Sequence, residues 1–168
     1  MSEMPTDDTP IEDLPIEIVR SSRRKKTAQA LVRGGRLRVM LPAGMDRDEE
    51  ARVVDQLVEQ VSRKSARRST DLAERARAVA ARYGLNEPAS VEWSDRQNIR
   101  WGSCTPANGS IRISHRLQGA PGWVLDGVLV HELAHLDERG HGPAFQALVS
   151  RYPLVERVIG YLIAKSEG

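Results

Sequence analysis

Alternating apolar and polar residues in the first quarter of the chain predict short β-strands. An acidic, proline-containing stretch over residues 1–14 is expected to be a mobile leader. After it, the segments IEIVRSS and TAQALVRGGRLRVMLP have the period-two pattern of half-buried strands. The pair Gly34-Gly35 separates two alternating segments and is typical of a tight hairpin turn. Residues 15–44 are therefore predicted to form a β-hairpin region.

The next part of the chain changes to helical periodicity. Asp46 begins a sequence of the capping-box type, and valine and leucine then recur at helical spacing over residues 53–61. Thr70 can cap a second helix, which Gly84 would end. Residues 45–84 are thus predicted to form two helices.

Short strands and separate helices are predicted for residues 88–168. The segments SVEW, NIRWGSC and GSIRIS are interpreted as three strands of a short antiparallel sheet, with a strong turn sequence between the last two. Pro121 stands at a position where proline is tolerated at a helix start, and this helix is expected to reach about Asp137. A short helix is predicted from Pro143, and a last one follows Pro153.

The composition of the chain mainly excludes certain kinds of protein. The chain has 168 residues, a net charge of +2 and one cysteine, Cys104, which excludes an intramolecular disulfide and any zinc module built on several cysteines. No apolar run approaches the ~20 residues that a membrane span requires. The acidic N-terminus is the opposite of a signal peptide. We therefore expect a cytoplasmic protein with no membrane partner.

The charge is distributed unevenly. Residues 20–38 contain eight arginines and lysines and no acidic residue. A basic block of this kind can bind phosphate groups, so nucleic acid is a possible partner of this region. A solvated hairpin is the simpler interpretation of the same charges.

The predicted helix after Pro121 contains the sequence His131-Glu132-Leu133-Ala134-His135. Residues four apart lie on one face of a helix, so both imidazoles can reach one ion at the ~2.0–2.1 Å of a zinc–nitrogen bond. Glu132 lies one step round the helix, close enough to hold the attacking water as general base. Incidental histidines on a hydrophobic helix are the alternative, but unpaired polar groups at the edge of an apolar face are costly.

His141 is the first choice for a third ligand, because Gly140 lets the chain turn back toward the helix. Glu156 is the rival, but it lacks the neighbouring helical pattern of the class that uses a downstream glutamate. The histidine spacing equals that of metzincins, whose pattern requires glycine where this chain has Glu138. Every methionine also lies upstream, whereas a metzincin needs a methionine turn downstream. The chain is therefore not a metzincin.

A family resemblance rests on three segments: RWGSC over 100–104, SIRIS over 110–114, and VLVHELAHLDERGHGPAFQALV over 128–149. Together they resemble the YgjP-like metallopeptidase family, small bacterial proteins related to the SprT-like and WLM zinc peptidases. The resemblance covers nearly the whole chain, including the basic hairpin. One departure is Gly142, since a small polar residue often follows the third histidine in this family.

The resemblance implies a compact zincin-like α+β fold with an N-terminal hairpin region, a short antiparallel sheet and an HExxH active-site helix. It implies one domain over residues 15–168. The divisions of this domain are a basic β-hairpin over 15–44, two helices over 45–84, and a zinc-binding core over 88–168. It also implies one Zn²⁺ per chain at His131, His135 and His141, with Glu132 as general base.

These observations predict a zinc-dependent metallohydrolase, and most simply a peptidase that acts on polypeptides. Glu132 would accept a proton as water attacks the scissile carbonyl, and would deliver it to the leaving amine. One alternative is a metal-stabilised module that binds nucleic acid or protein without hydrolysis. Another is a zinc hydrolase that acts on a non-peptide amide or ester.

The roles of several other residues in the second half of the chain stay open. Gly102 either allows close backbone approach to a substrate or marks a β-bulge. Trp101 and Cys104 either form the wall of the site or belong to the hydrophobic core. Arg100 and His115 are weak candidates for stabilising an oxyanion. Glu138 either orients a histidine ligand or is solvated.

Overall fold

The computed structural model describes residues 11–166, which lie in two compact units, Met1–Arg68 and Ser69–Gly168. Residues 1–10 of the expected mobile leader lie outside the described residues. Its last part is ordered: Ile11–Asp13 form a turn of 3₁₀-helix, and Leu14 is buried in the first unit. Leu14 therefore belongs to the hydrophobic core of the first unit, while the mobility of the leader stays a prediction.

The first unit contains a three-stranded sheet formed by β1 (Ile16–Ser21), β2 (Gln29–Arg33) and β3 (Arg36–Pro42), in the order β1-β3-β2. The predicted hairpin is confirmed, because β2 and β3 are antiparallel and Gly34 and Gly35 have φ values of 60° and 70°. Only glycine adopts such angles readily at both positions of a two-residue turn. β1 lies parallel to β3 on its other side.

Alternation along β3 gives this sheet one buried face. Leu37, Val39 and Leu41 are completely buried, and they form a hydrophobic core with Leu14 and Val54. The intervening residues of β3 point to the other face, which is basic.

One long helix, α1 (Arg47–Tyr83), replaces the two helices predicted over residues 45–84. Its start is as expected, because the Asp46 carboxylate accepts a hydrogen bond from the Asp48 backbone N–H at 3.2 Å. The expected break at Thr70 is wrong. The sequence SRKSARRST before it has no glycine or proline, and its alanine, arginine and lysine favour helix, so nothing ends the helix there.

The second unit contains another three-stranded sheet, formed by β4 (Ser90–Ser94), β5 (Gly102–Thr105) and β6 (Ser110–Ser114) in the order β4-β6-β5. The three predicted strands are present, but the sheet is mixed. The β5–β6 hairpin is antiparallel, whereas β4 is parallel to β6 because the connection over residues 95–101 carries the chain across to the far edge. β5 is consequently an edge strand.

Three helices complete the second unit: α2 (Gly122–Ala134), α3 (Pro143–Val149) and α4 (Val155–Ser166). All three begin where the prolines predict, and α2 ends at Ala134, three residues before the expected Asp137. α2 is the central element, because it packs against β5, β6, α3 and α4. Within residues 11–166, no helix is both long enough and apolar enough to cross a membrane.

Candidate active site

The structure brings together the three histidines that the sequence analysis selected. His131 lies in the last turn of α2, His135 follows its end, and His141 lies in the loop before α3. Their ligand nitrogens all lie within 4.8 Å of one another. His131 and His135 are half-buried, and His141 is exposed. Three nitrogen donors from two successive elements thus surround one point.

Hydrogen bonding fixes the ring of His135. Its Nδ1 atom lies 2.8 Å from the carbonyl oxygen of Glu138. A carbonyl can only accept, so Nδ1 carries the proton and the lone pair of the neutral ring is on Nε2. One of the two interpretations of Glu138 is that its side chain orients a histidine ligand. In the structure its backbone carbonyl group orients His135 instead.

One aromatic ring supports all three imidazoles. The ring centroid of Phe145, at the start of α3, lies 5.0, 4.5 and 4.8 Å from those of His131, His135 and His141. It is nearly parallel to the His135 ring, with an interplanar angle of 26°. Phe145 is itself buried, so the three imidazoles pack against a side chain that the core holds in place.

Burial also sets the protonation of His131. Desolvation lowers the pKa of its imidazole to about 4, and the charges of His135 and His141 act in the same direction. The ring is consequently neutral at neutral pH, which is the form that binds a metal ion.

The Glu132 carboxyl lies beside this cluster and is buried, with 6% of its surface exposed. Burial raises its pKa to about 7, and the nearby positive charge of Arg100 opposes that increase. A buried carboxylate without an ion-pair partner costs free energy, and such groups are common at functional sites. Its charge also acts on Cys104, since burial first and Glu132 second raise the pKa of that thiol to about 11.

Gly102, the first residue of β5, lies directly against the Glu132 side chain. A Cβ atom at position 102 would be 2.7 Å from Oε1, 2.8 Å from Cγ and 3.0 Å from Cδ of Glu132. At these distances a side chain at position 102 would require the Glu132 side chain to move. The glycine is therefore needed for close approach, but the group that approaches is Glu132.

The histidines and Glu132 line a cavity of about 1090 Å³ in the second unit. Its polar lining includes these residues together with Arg100 and Arg139. Its apolar lining comes mainly from α4, where Ile159 and Ile163 are about half exposed. The backbone and side chains of β5 form part of its wall. The cavity thus joins the candidate catalytic groups to a long apolar surface.

Of the other residues singled out in the sequence, some line the cavity and some do not. Trp101 and Cys104 line the cavity and also pack against the hydrophobic core, so both of their interpretations apply. Arg100 lines the cavity as well. Within the described residues, the cavity lining includes neither His115, whose Nδ1 lies 3.1 Å from the carbonyl oxygen of Ser94, nor the exposed Glu156.

Sequence reasoning missed Phe145 and the apolar residues of α4. Phe145 is the chain's one phenylalanine and follows His141 by four residues, which is a usable signal for a ring that contacts it. The α4 residues carried no such signal, because an amphipathic helix near the C-terminus has the same pattern whether it covers a core or lines a cleft.

Comparison with solved structures supports the fold. The chain is similar to the metallopeptidase zymogen abylysin of Pyrococcus abyssi, with a TM-score of 0.51 and 16% identity over 57% of this chain and 95% of that one. It is also similar to the metallopeptidase zymogen jannalysin of Methanocaldococcus jannaschii, with a TM-score of 0.49 and 16% identity over 56% and 95% of the two chains. At this identity the likeness to abylysin shows the zincin-like α+β fold alone.

Sequence comparison gives the family. Among curated proteins, none is significantly similar to this chain in sequence. The model of the YgjP-like metallopeptidase domain matches residues 18–154, which include most of the first sheet, the whole second sheet, α2, α3 and all three clustered histidines. The chain belongs to the YgjP-like metallopeptidase family.

Proposed function

We propose that this metallopeptidase is zinc-dependent, that His131, His135 and His141 bind the zinc ion, and that Glu132 is the general base for peptide-bond hydrolysis. The observation that carries the proposal is the convergence of three imidazoles beside a buried carboxylate in one cavity. Each group alone has a structural explanation. Their combination, in a family of metallopeptidases, favours catalysis.

The donor set fits zinc. Neutral imidazole nitrogens are preferred zinc ligands, and three of them leave a fourth tetrahedral position open, as catalytic sites require. A structural site would normally have four protein ligands. Within the described residues, the group of candidate ligand atoms contains these three histidines and does not include Cys104. A zinc ion held there would polarise a carbonyl group and lower the pKa of a water molecule toward 7.

Glu132 is suited to move the proton. Its neighbour His131 points into the histidine cluster, and its own carboxylate is held against the backbone of Gly102 at the cavity wall. From this position it would accept a proton from the attacking water and return it to the leaving amine. Arg100 lies near enough to influence the charge of this carboxylate, and it lines the same cavity.

The cavity suits an extended polypeptide. β5 is an edge strand that lines it, and a free strand edge can pair with an extended chain through backbone hydrogen bonds. The apolar surface of α4, including Ile159 and Ile163, would then contact side chains of the substrate. We therefore propose unfolded polypeptide segments as substrates.

Replacing His131 and His135 together with Ala should abolish zinc binding. Wild-type protein should contain one zinc per chain, because the two helical imidazoles supply two of three proposed ligands. Metal content after dialysis against a chelator, measured by elemental analysis, checks this. Stoichiometric zinc in the dialysed double variant would place the metal elsewhere and overturn the proposal.

His141→Ala should weaken zinc binding by more than the about 10- to 100-fold typical of losing an outer hydrogen-bond partner. Glu156→Ala is the matched control, and it should leave zinc affinity unchanged because Glu156 is exposed and does not line the cavity. Competition titration with a chromophoric chelator gives both affinities. The reverse result would mean that Glu156 is the third ligand.

A further inference from the structure

The sheet of the first unit places five of the eight basic residues of segment 20–38 in two groups. Arg20 forms an ion pair with Glu50 of α1, with an Nη2–Oε1 distance of 2.6 Å. Four other arginines belong to the opposite, outward face of the sheet, which we call the basic sheet face. Its members are Arg24, Arg33, Arg36 and Arg38.

Strand register and contacts define this face. Arg33 of β2 is opposite Arg36 of β3, and Arg38 of β3 is opposite Glu17 of β1. Arg36, Arg38 and Met40 alternate with the buried residues of β3. Arg24 reaches the same surface, because its Nη2 atom lies 3.7 Å from the sulfur of Met40. Arg33, Arg36 and Arg38 surround a concave region of about 560 Å³, together with Glu17.

Only part of this positive charge is neutralised inside the molecule. Glu17 accepts two hydrogen bonds from Arg38, at 3.2 and 3.0 Å. These bonds are the largest cause that lowers the pKa of Glu17, and the charge of Arg36 also contributes. Among the side chains that the structure describes, no acidic residue forms an ion pair with Arg33 or Arg36. The concave region therefore has two guanidinium groups in excess.

The hairpin turn forces these two arginines together. Gly34 and Gly35 form the turn, and Arg33 and Arg36 are the strand residues immediately on either side of it. Like charges directly opposite each other across two strands are unfavourable. A bound anion would relieve this repulsion, and guanidinium groups bind phosphate oxygens in a bidentate geometry.

We propose that the basic sheet face binds the phosphodiester backbone of nucleic acid without reading its sequence. The chain has no aromatic residue before Tyr83, so the first unit has no ring on which a base could stack. Contacts from arginine to phosphate fix position and carry no base information. This inference concerns the first unit and does not depend on the proposed hydrolysis.

The distribution of apolar residues argues against an anionic membrane as the occupant. A membrane-binding surface combines basic residues with exposed large apolar ones. The exposed large apolar residues of this unit are Ile16 and Ile18 within the described part. Both alternate with Glu17 along β1, so they point away from the basic sheet face.

The test compares the full-length protein with the Arg33→Glu/Arg36→Glu double variant in binding to a fluorescently labelled DNA duplex. We expect the variant to bind more than about tenfold more weakly at low salt. The slope of log K against log salt is negative, and its magnitude should decrease by about 1.8, since each phosphate contact contributes about 0.9. Arg33→Ala/Arg36→Ala should show a smaller loss of DNA affinity. This variant has no like charges opposite each other at the turn, so the hairpin should stay folded. Circular dichroism checks the fold of both variants.

Arg47→Glu/Arg52→Glu is the matched control. It changes the net charge equally, on exposed positions of α1 outside the basic sheet face, and should bind DNA within about twofold of wild type. Equal losses in the control and the hairpin variant would show a general charge effect and overturn the proposal. No binding by the wild type at low salt would overturn it too. Tighter binding to phosphatidylserine vesicles than to DNA at equal salt would identify a membrane as the partner instead.

Discussion

Glu132→Gln is expected to lower the rate of peptide hydrolysis by about 100- to 10,000-fold, the usual contribution of a general base. Glutamine keeps the size of the side chain, but its amide cannot accept a proton from water. Because Glu132 is buried, replacing its carboxyl with a neutral amide leaves no charge to desolvate, and this gain offsets the lost attraction to Arg100. The variant should therefore fold as well as the wild type and retain its zinc.

Initial rates on an unstructured protein substrate, together with elemental analysis for zinc and thermal unfolding, check this prediction. Glu156→Gln is the matched control, since it makes the same chemical change at an exposed glutamate and should keep wild-type activity. Equal activity in Glu132→Gln and wild type would exclude Glu132 as base. Zinc-loaded wild-type protein that cleaves none of a broad set of unfolded proteins would favour the metal-stabilised binding module.

Gly102→Ala is expected to lower kcat by about 100-fold while KM and zinc content stay near wild type, since a displacement of about 1 Å at a catalytic group can cost this much. The new Cβ atom would come within 2.7 Å of Oε1 of Glu132, so that carboxylate must move. If Glu132 is the general base, as we propose, Gly102 acts through it as a positioning residue.

A double-mutant cycle separates this role from a general structural one. In the Glu132→Gln background, which already lacks the base, Gly102→Ala should reduce kcat little further, because the two changes remove the same contribution. Gly119→Ala is the matched control, as a Cβ atom there has no neighbour within 4 Å. Additive losses in the double variant, or unchanged kcat in Gly102→Ala alone, would show that Gly102 does not position the base.

Local patterns made part of this site predictable. The geometry of His131 and His135 follows from their i, i+4 spacing, which places both on one helix face once the helix is recognised. The β2–β3 hairpin was predictable for a similar reason, because Gly34-Gly35 specifies its own turn. In both cases the information lies within a few residues of the chain.

Long-range contacts explain what the sequence did not reveal. The approach of Gly102 to Glu132 joins residues 30 apart, and α4 reaches the cavity from the far end of the chain. The parallel pairing of β4 with β6 likewise depends on where a loop crosses. The continuous α1 has another cause: Thr70 has the residue type of a cap, but the segment before it contains no glycine or proline that would end the helix.

The position of α2 at the centre of the second unit has a consequence for hydrogen exchange. Val124, Leu129, Val130 and Leu133 are completely buried, so the amides of this helix exchange mainly through unfolding of the whole unit. His141 lies in an exposed loop, whose opening requires only local unfolding. His131, in the last turn of this helix, and His135, which directly follows it, are thus attached to the buried centre of the unit, whereas His141 is held by a much smaller local free energy. Release of an ion from such a centre can begin at the loop while the helical pair remains in place.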